Sequence, residues 1–170
     1  MSKTLQGQAL KYGDHIDTDI IISAEHCTSL DEKVLGSHCF GGYDDEFQTR
    51  KQRGDFIIAG VNFGCGSSRE MAPLAIRGAG IAGVVAISFS RIFYRNAINI
   101  GLPIWESREA YEKIHAGNEL EILPEQGIIR NLTKNEEYQT TPLPDFILEI
   151  VRIGGMREYV RQQLKEKNES

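Results

Sequence analysis

The sequence predicts an α/β domain. Apolar, strand-like runs alternate with helix-like segments through the middle of the chain, and a glycine turn joins the first such run to a helix. After that, Glu119 to Thr141 alternates and turns like a small antiparallel unit. At 170 residues, with 41% apolar and 25% charged, the chain reads as a single globular domain spanning 1–170, long enough to bury a substantial core.

In chain order, residues 5 to 22 open with a strand, which leads to a turn near Gly13-Asp14 and then to a second apolar run, Ile20-Ile-Ile22. His15, Asp17 and Asp19 could hold a metal, but a polar turn whose carboxylates accept backbone N–H groups is the favoured reading. From Ser23 to Phe40 periodicity is weak, apart from a short helix at Asp31-Glu-Lys-Val-Leu35. His26 and Cys27 are neighbours in this stretch, and without a third partner they are weak evidence for nucleophilic catalysis. Gly41 to Arg53, rich in Gly, Asp and Gln, is expected to be exposed.

Phe56-Ile-Ile-Ala-Gly-Val61 is a buried strand that runs into Asn62-Phe-Gly-Cys-Gly-Ser-Ser-Arg-Glu70. Gly64 and Gly66 permit sharp turns with backbone close to a ligand, and Ser67, Ser68 and Arg69 follow at once. Ser67 and Glu70 have capping-box spacing, but a helix starting there would carry Pro73 in its interior. The regular helix is therefore expected to begin nearer Pro73, leaving Ser67 to Arg69 free to face a ligand. On these residues alone, a capped helix after a strand and an anion site at a helix start stand equal.

Gly83 to Ser88 reads as the next strand. A helix follows through Ile92, Phe93, Ala97 and Ile100, stopped by Gly101 and Pro103. Its Arg91, Arg95 and Asn96 either form a solvated face or clamp carboxylates beside the glycine turn. A strand at Leu102 to Trp105 and a helix from Ser107 to Ala116, with His115 on its surface, precede the antiparallel unit. Met156, Tyr159, Val160 and Leu164 mark a final amphipathic helix with a charged tail.

A net charge of −5 argues against nucleic-acid binding. Between Phe56 and Ile104, however, the charges are Arg69, Arg77, Arg91 and Arg95 against Glu70 alone, a local balance suited to a small anion. No apolar run approaches the length of a membrane span, and the first residues carry no apolar leader, so a cytoplasmic chain with no membrane partner is expected. Cys27, Cys39 and Cys65 form no C-x-x-C pair and resemble no iron–sulfur ligand set; free thiols and no metal bound by this chain are expected.

Three motifs in order carry a resemblance: Asp17-Thr-Asp-Ile-Ile-Ile22, Asn62 to Glu70, and Ser90-Arg-Ile-Phe-Tyr-Arg-Asn-Ala-Ile-Asn-Ile-Gly-Leu-Pro103. From about Gln6 to the final helix the chain resembles the small-subunit family of 3-isopropylmalate dehydratases, the aconitase swivel domain on a chain of its own. The resemblance implies a swivelling β/β/α three-layer domain that closes over an iron–sulfur large subunit, as a heterodimer or higher heteromer. The 4Fe-4S cluster, with one open iron to take the leaving hydroxyl, would be carried by that large subunit, with none bound here. The implied reaction is hydro-lyase isomerisation of a small 2-hydroxy dicarboxylate by dehydration and rehydration, with 3-isopropylmalate of leucine biosynthesis foremost.

By the same resemblance Ser67 is the catalytic base, Ser68 and Arg69 grip a substrate carboxylate, and Thr18 and Asp19 lie at the edge of the site. Glu25, His26, Cys27 and Thr28 fall in the substrate-specificity loop. The sequence departs from the family twice. Met71 stands where a histidine is usual, and Ser23-Ala-Glu-His-Cys-Thr-Ser29 replaces a loop that usually carries Tyr-Leu. The alternatives are a homoaconitase, citraconate/2-methylmalate or dimethylmalate hydro-lyase subunit and, from another class, a stand-alone carboxylate-binding regulatory module. A Rossmann-type nucleotide binder is weaker, because Gly64-x-Gly66 lacks the third glycine.

Overall fold

The computed structural model describes residues 4–169; the remainder of the predicted 1–170 domain, residues 1–3 and 170, lies outside the described residues. The elements in order are β1 (Leu5–Lys11), α1 (Thr18–Ile21), a 3-10 turn (Ala24–His26), α2 (Glu32–Ser37), α3 (Phe47–Arg50), β2 (Phe56–Ala59) and α4 (Met71–Gly78). Then come β3 (Gly83–Ala86), α5 (Arg91–Ile100), β4 (Ile104–Glu106), α6 (Arg108–Lys113) and β5 (Glu119–Leu123). β6 (Ile128–Asn131), β7 (Glu136–Gln139), α7 (Asp145–Ile153) and α8 (Met156–Asn168) complete the chain.

The strands form one mixed sheet in the order β4-β3-β2-β1-β5-β6-β7. β1 is its junction. Ala9 to Lys11 pair in parallel with Phe56 to Ile58, whereas Leu5 to Gln8 pair antiparallel with Ile122 to Glu119. β2 and β3 are buried along their whole length, which explains why they read as continuous apolar runs and not as alternating ones.

Alternate residues of these strands separate two cores. Ile57, Ala59, Val84 and Ala86 pack with Ala72, Ala75 and Ile76 of α4 and Phe93 and Ala97 of α5. Phe56, Ile58, Val85 and Trp105 face the other way and share a cluster with Leu120, Ile122, Ile129 and Tyr138 of the antiparallel strands. The sheet therefore curls over itself, and the result is the expected α/β arrangement of a β layer, a second β layer and a helical layer.

Two segments differ from expectation. Gly41 to Arg53 is mostly exposed, as read, but it also contains α3, whose Phe47 is fully buried against Phe40 at 5.0 Å between ring centroids. Polar residues stabilise this turn: the Gln48 amide donates to the carbonyls of Gly36 and Cys39 at 2.9 and 3.0 Å. The second is α7, which the sequence reading passed over; it buries Leu148 and Ile150 and ends at Gly154 in the left-handed region (φ 100°). α4 begins at Met71, so Pro73 is its third residue, where the missing N–H leaves no helical bond unmade.

Segments leaving the carboxyl ends of three neighbouring parallel strands, β1, β2 and β3, meet at one edge of the sheet. In open α/β sheets that edge is where ligands bind.

Candidate active site

The backbone fixes the meeting point first. The N–H of Gly64 donates to Ile16 O at 2.7 Å, and the N–H of Thr18 donates to Cys65 O at 2.9 Å, so the loop after β1 and the glycine turn after β2 form a parallel bridge at Asp17 and Cys65. A second bridge, Phe63 with Phe89, ties the turn to the segment after β3. Ser90 caps α5 by accepting from the N–H of Phe93 and also donates its hydroxyl to Gly64 O at 2.9 Å. Gly64 has φ 77°, and a Cβ there would stand 2.2 Å from the Phe93 ring. Only glycine lets this turn close over the helix. Gly66, at φ 97°, makes the next bend and delivers Ser67.

On this frame the side chains converge. The Thr18 hydroxyl lies 3.1 Å from the Ser67 hydroxyl, with either oxygen able to donate, and 3.3 Å from Ser67 O. Thr18 is buried, whereas Ser67 and Ser68 are exposed. Arg69 reaches back with one terminal nitrogen, Nη1, to form an ion pair with Asp19 and to donate to Ile22 O at 3.3 Å. Its Nε and Nη2 edge has no partner among the described residues, so it retains the geometry for a bidentate carboxylate contact. Asp17 does not point at a ligand: it caps α1, accepting from the N–H of Ile20 at 2.9 Å. Asp14 likewise accepts from the N–H of Val61 at 2.8 Å, so the polar-turn reading of this stretch is the right one.

Burial, followed by the negative charge of Asp17, pushes the Cys65 thiol up. The side chain two residues before Ser67 is thus a thiol and not a thiolate near neutral pH. Ser67 and Ser68 are exposed and Arg69 half-buried, so these groups sit on an open rim of this chain.

Comparison with known proteins bears on this rim. Residues 6–109 match the model of the aconitase C-terminal domain. The chain is 52% identical over 161 residues to the 3-isopropylmalate dehydratase small subunit of Caldanaerobacter subterraneus subsp. tengcongensis, covering 95% of this chain and 100% of that one. It is 50% identical to the protein of the same name from Clostridium botulinum, covering 94% and 99%. The crystal structure of 3-isopropylmalate dehydratase from Methanocaldococcus jannaschii superposes with a TM-score of 0.90 at 38% identity, covering 99% of this chain and 100% of that one. The chain belongs to the family of 3-isopropylmalate dehydratase small subunits, built on the aconitase C-terminal domain.

In this family member the segment with the unusual composition is folded back on the body. Glu25 and Thr28 are exposed. The His26 ring stacks on His38, with centroids 3.8 Å apart and planes within 4°, and lies 3.7 Å from the Glu25 carboxylate. His38, at the C-cap of α2, went unremarked in the sequence, because no local pattern pairs residues twelve apart across a loop. Cys27 donates to Ser23 O at 3.5 Å and packs against the core, so His26 and Cys27 form no nucleophile–base pair. Among the described residues no three His, Cys, Asp or Glu side chains converge as a metal-ligand set, and the donor set of this chain does not fit an iron–sulfur cluster. Arg77, counted among the local cations, is remote in role: it pairs with Glu32 and donates to the carbonyls of Ile100 and Gly154. No helix among the described residues is long and apolar enough to cross a membrane.

Proposed function

We propose that this chain is the small subunit of a 3-isopropylmalate dehydratase, a cytoplasmic hydro-lyase of leucine biosynthesis that turns over only when joined to a large subunit. The observation that carries this reading is the open rim at which the Thr18 hydroxyl touches Ser67 beside a half-occupied Arg69. The names of its half-identical relatives support the choice of substrate.

Dehydration of a 2-hydroxy diacid requires removal of a weakly acidic proton next to a carboxylate. Ser67 is the acceptor in this proposal. A serine is a poor base unless its alkoxide is stabilised, and the Thr18 hydroxyl at 3.1 Å is placed to donate to it. The free edge of Arg69, with the Ser68 hydroxyl, takes the carboxylate on which negative charge develops. Asp19 fixes the other side of the same guanidinium. The 4Fe-4S cluster belongs to the large subunit in this reading, and the open rim is the half of the site that the large subunit completes. In this reading the segment carrying Glu25, His26, Cys27 and Thr28 reads the variable side chain of the substrate; its start just after Ile22, whose carbonyl accepts from Arg69, supports that role.

The test is anaerobic co-expression with the large subunit of the same cell, followed by turnover of a panel of 2-hydroxy diacids. Preferred turnover of 3-isopropylmalate supports the reading. Preference for a homoaconitate- or 2-methylmalate-type acid would move the chain to that hydro-lyase and make the 23–29 segment the cause. No complex and no turnover would leave the carboxylate-binding module.

A further inference from the structure

The third motif of the sequence is only half explained by the fold. In α5, Phe93, Ala97 and Ile98 are buried, and Ser90 holds the glycine turn, but Arg91, Ile92, Tyr94 and Arg95 point outward. Ile92 is 51% and Tyr94 42% exposed, an unusual pair to leave in water on one short helix. At 100° per residue, Arg91 and Arg95 lie side by side along the middle of this outer face, flanked by Tyr94 and Ile92. Neither arginine has a carboxylate within 4.0 Å among the described residues, whereas Arg69, Arg77, Arg130 and Arg152 each hold at least one. Between them and α7 runs a groove of about 490 Å³ whose walls include Phe89, Tyr94, Glu106 and Ile147. Glu106 shares this groove with both arginines but lies beyond ion-pair distance of them. The face is continuous with the rim, because Arg91 directly follows the serine that bonds the glycine turn.

We propose that this face of α5 is the docking surface for the large subunit, receiving an acidic segment whose carboxylates pair with Arg91 and Arg95 while an apolar side chain enters the groove beside Phe89 and Tyr94. The inference rests on the small-subunit reading and names where the partner binds. A guanidinium left unpaired beside exposed aliphatic and aromatic carbon is the composition of an interface anchor. Its position brings the partner alongside the glycine turn, which Ser90 bonds directly before Arg91.

The experiment measures the dissociation constant between the whole chain and the purified, anaerobically prepared large subunit of the same cell. It compares wild type, Arg91→Glu/Arg95→Glu and Arg91→Lys/Arg95→Lys. All of these residues are exposed, so each variant should melt as the wild type does. The glutamate pair should weaken binding by about 100-fold, and the lysine pair by no more than about 10-fold. Added salt should weaken the wild-type complex and narrow its advantage over the glutamate pair, whose repulsion from the same carboxylates it screens. At saturating large subunit the glutamate variant should recover wild-type kcat and KM. Equal affinity for all three chains would overturn the inference while leaving the small-subunit reading intact. So would a KM that stays high at saturation, which would make the arginines substrate contacts. If the wild type dimerises through this face and the glutamate pair is monomeric, the occupant is a second copy and the inference fails. Absence of any wild-type complex overturns the small-subunit reading and this inference together.

Discussion

The two arginines that flank α4 are the same residue put to opposite uses. At its C-terminal end Arg77 has all three nitrogens engaged by the chain itself: Glu32 of α2 takes two of them, and the carbonyls ending α5 and α7 take the third. Ahead of its N-terminal end Arg69 gives one nitrogen to Asp19 and Ile22 and leaves its other edge open. A guanidinium whose three nitrogens are all engaged joins elements together. One with a free planar edge, held at the mouth of a glycine turn, is oriented for something the chain does not contain. Arg77 thus ties elements of the fold, and Arg69 is the cation assigned to the proposed site, a distinction that composition alone had pooled.

Conservative replacement should break the two sites differently. Arg69→Lys keeps the charge but loses the planar fork, and kcat/KM of the assembled enzyme is expected to fall by about 100-fold with stability unchanged. A near-normal kcat/KM in steady-state assays would show that no carboxylate is gripped there. Arg77→Ala should do the reverse: Glu32 and two carbonyls lose their donor, and urea unfolding should report a loss of about 2 kcal/mol, with turnover of the folded complex retained. An unchanged unfolding midpoint would remove Arg77 as a tie between α2, α4, α5 and α7.

The smallest effect concerns Asp44, another carboxylate bonded by an arginine. Burial alone would raise its carboxyl, but the bonds from the Tyr12 hydroxyl and the Arg50 guanidinium outweigh that and hold it below the usual carboxylate range. Its folded pKa is depressed, so its contribution is complete above the unfolded value of about 3.9 and is lost as pH falls through the folded one. Asp44→Asn should therefore lower the melting temperature slightly at pH 7 and match wild type in strong acid. A difference that persists undiminished in acid would contradict this.

Much of this was legible in the sequence because it depends on local rules. The buried strands Phe56–Ala59 and Gly83–Ala86 announce themselves as apolar runs, Pro73 places the start of α4, and Gly101 ends α5. The glycine turn and its serines were readable for the same reason. Contacts between distant segments were not. The Thr18–Ser67 approach follows from a parallel bridge between residues almost fifty apart, and the His26–His38 stack from the fold-back of a loop. Neither leaves a periodic trace. Phe47 and α7 were missed because a single buried aromatic in a polar stretch, or a short helix between proline and glycine, is outweighed by its turn-forming neighbours.

The central claim is that Ser67, held by Thr18 at an open rim, takes the proton once the large subunit is in place. The most direct measurement is turnover of 3-isopropylmalate by the Ser67→Ala complex, with the mass of that complex determined alongside. The account predicts an intact assembly whose kcat falls by about 1000-fold or more. An intact assembly turning over at the wild-type rate would contradict it.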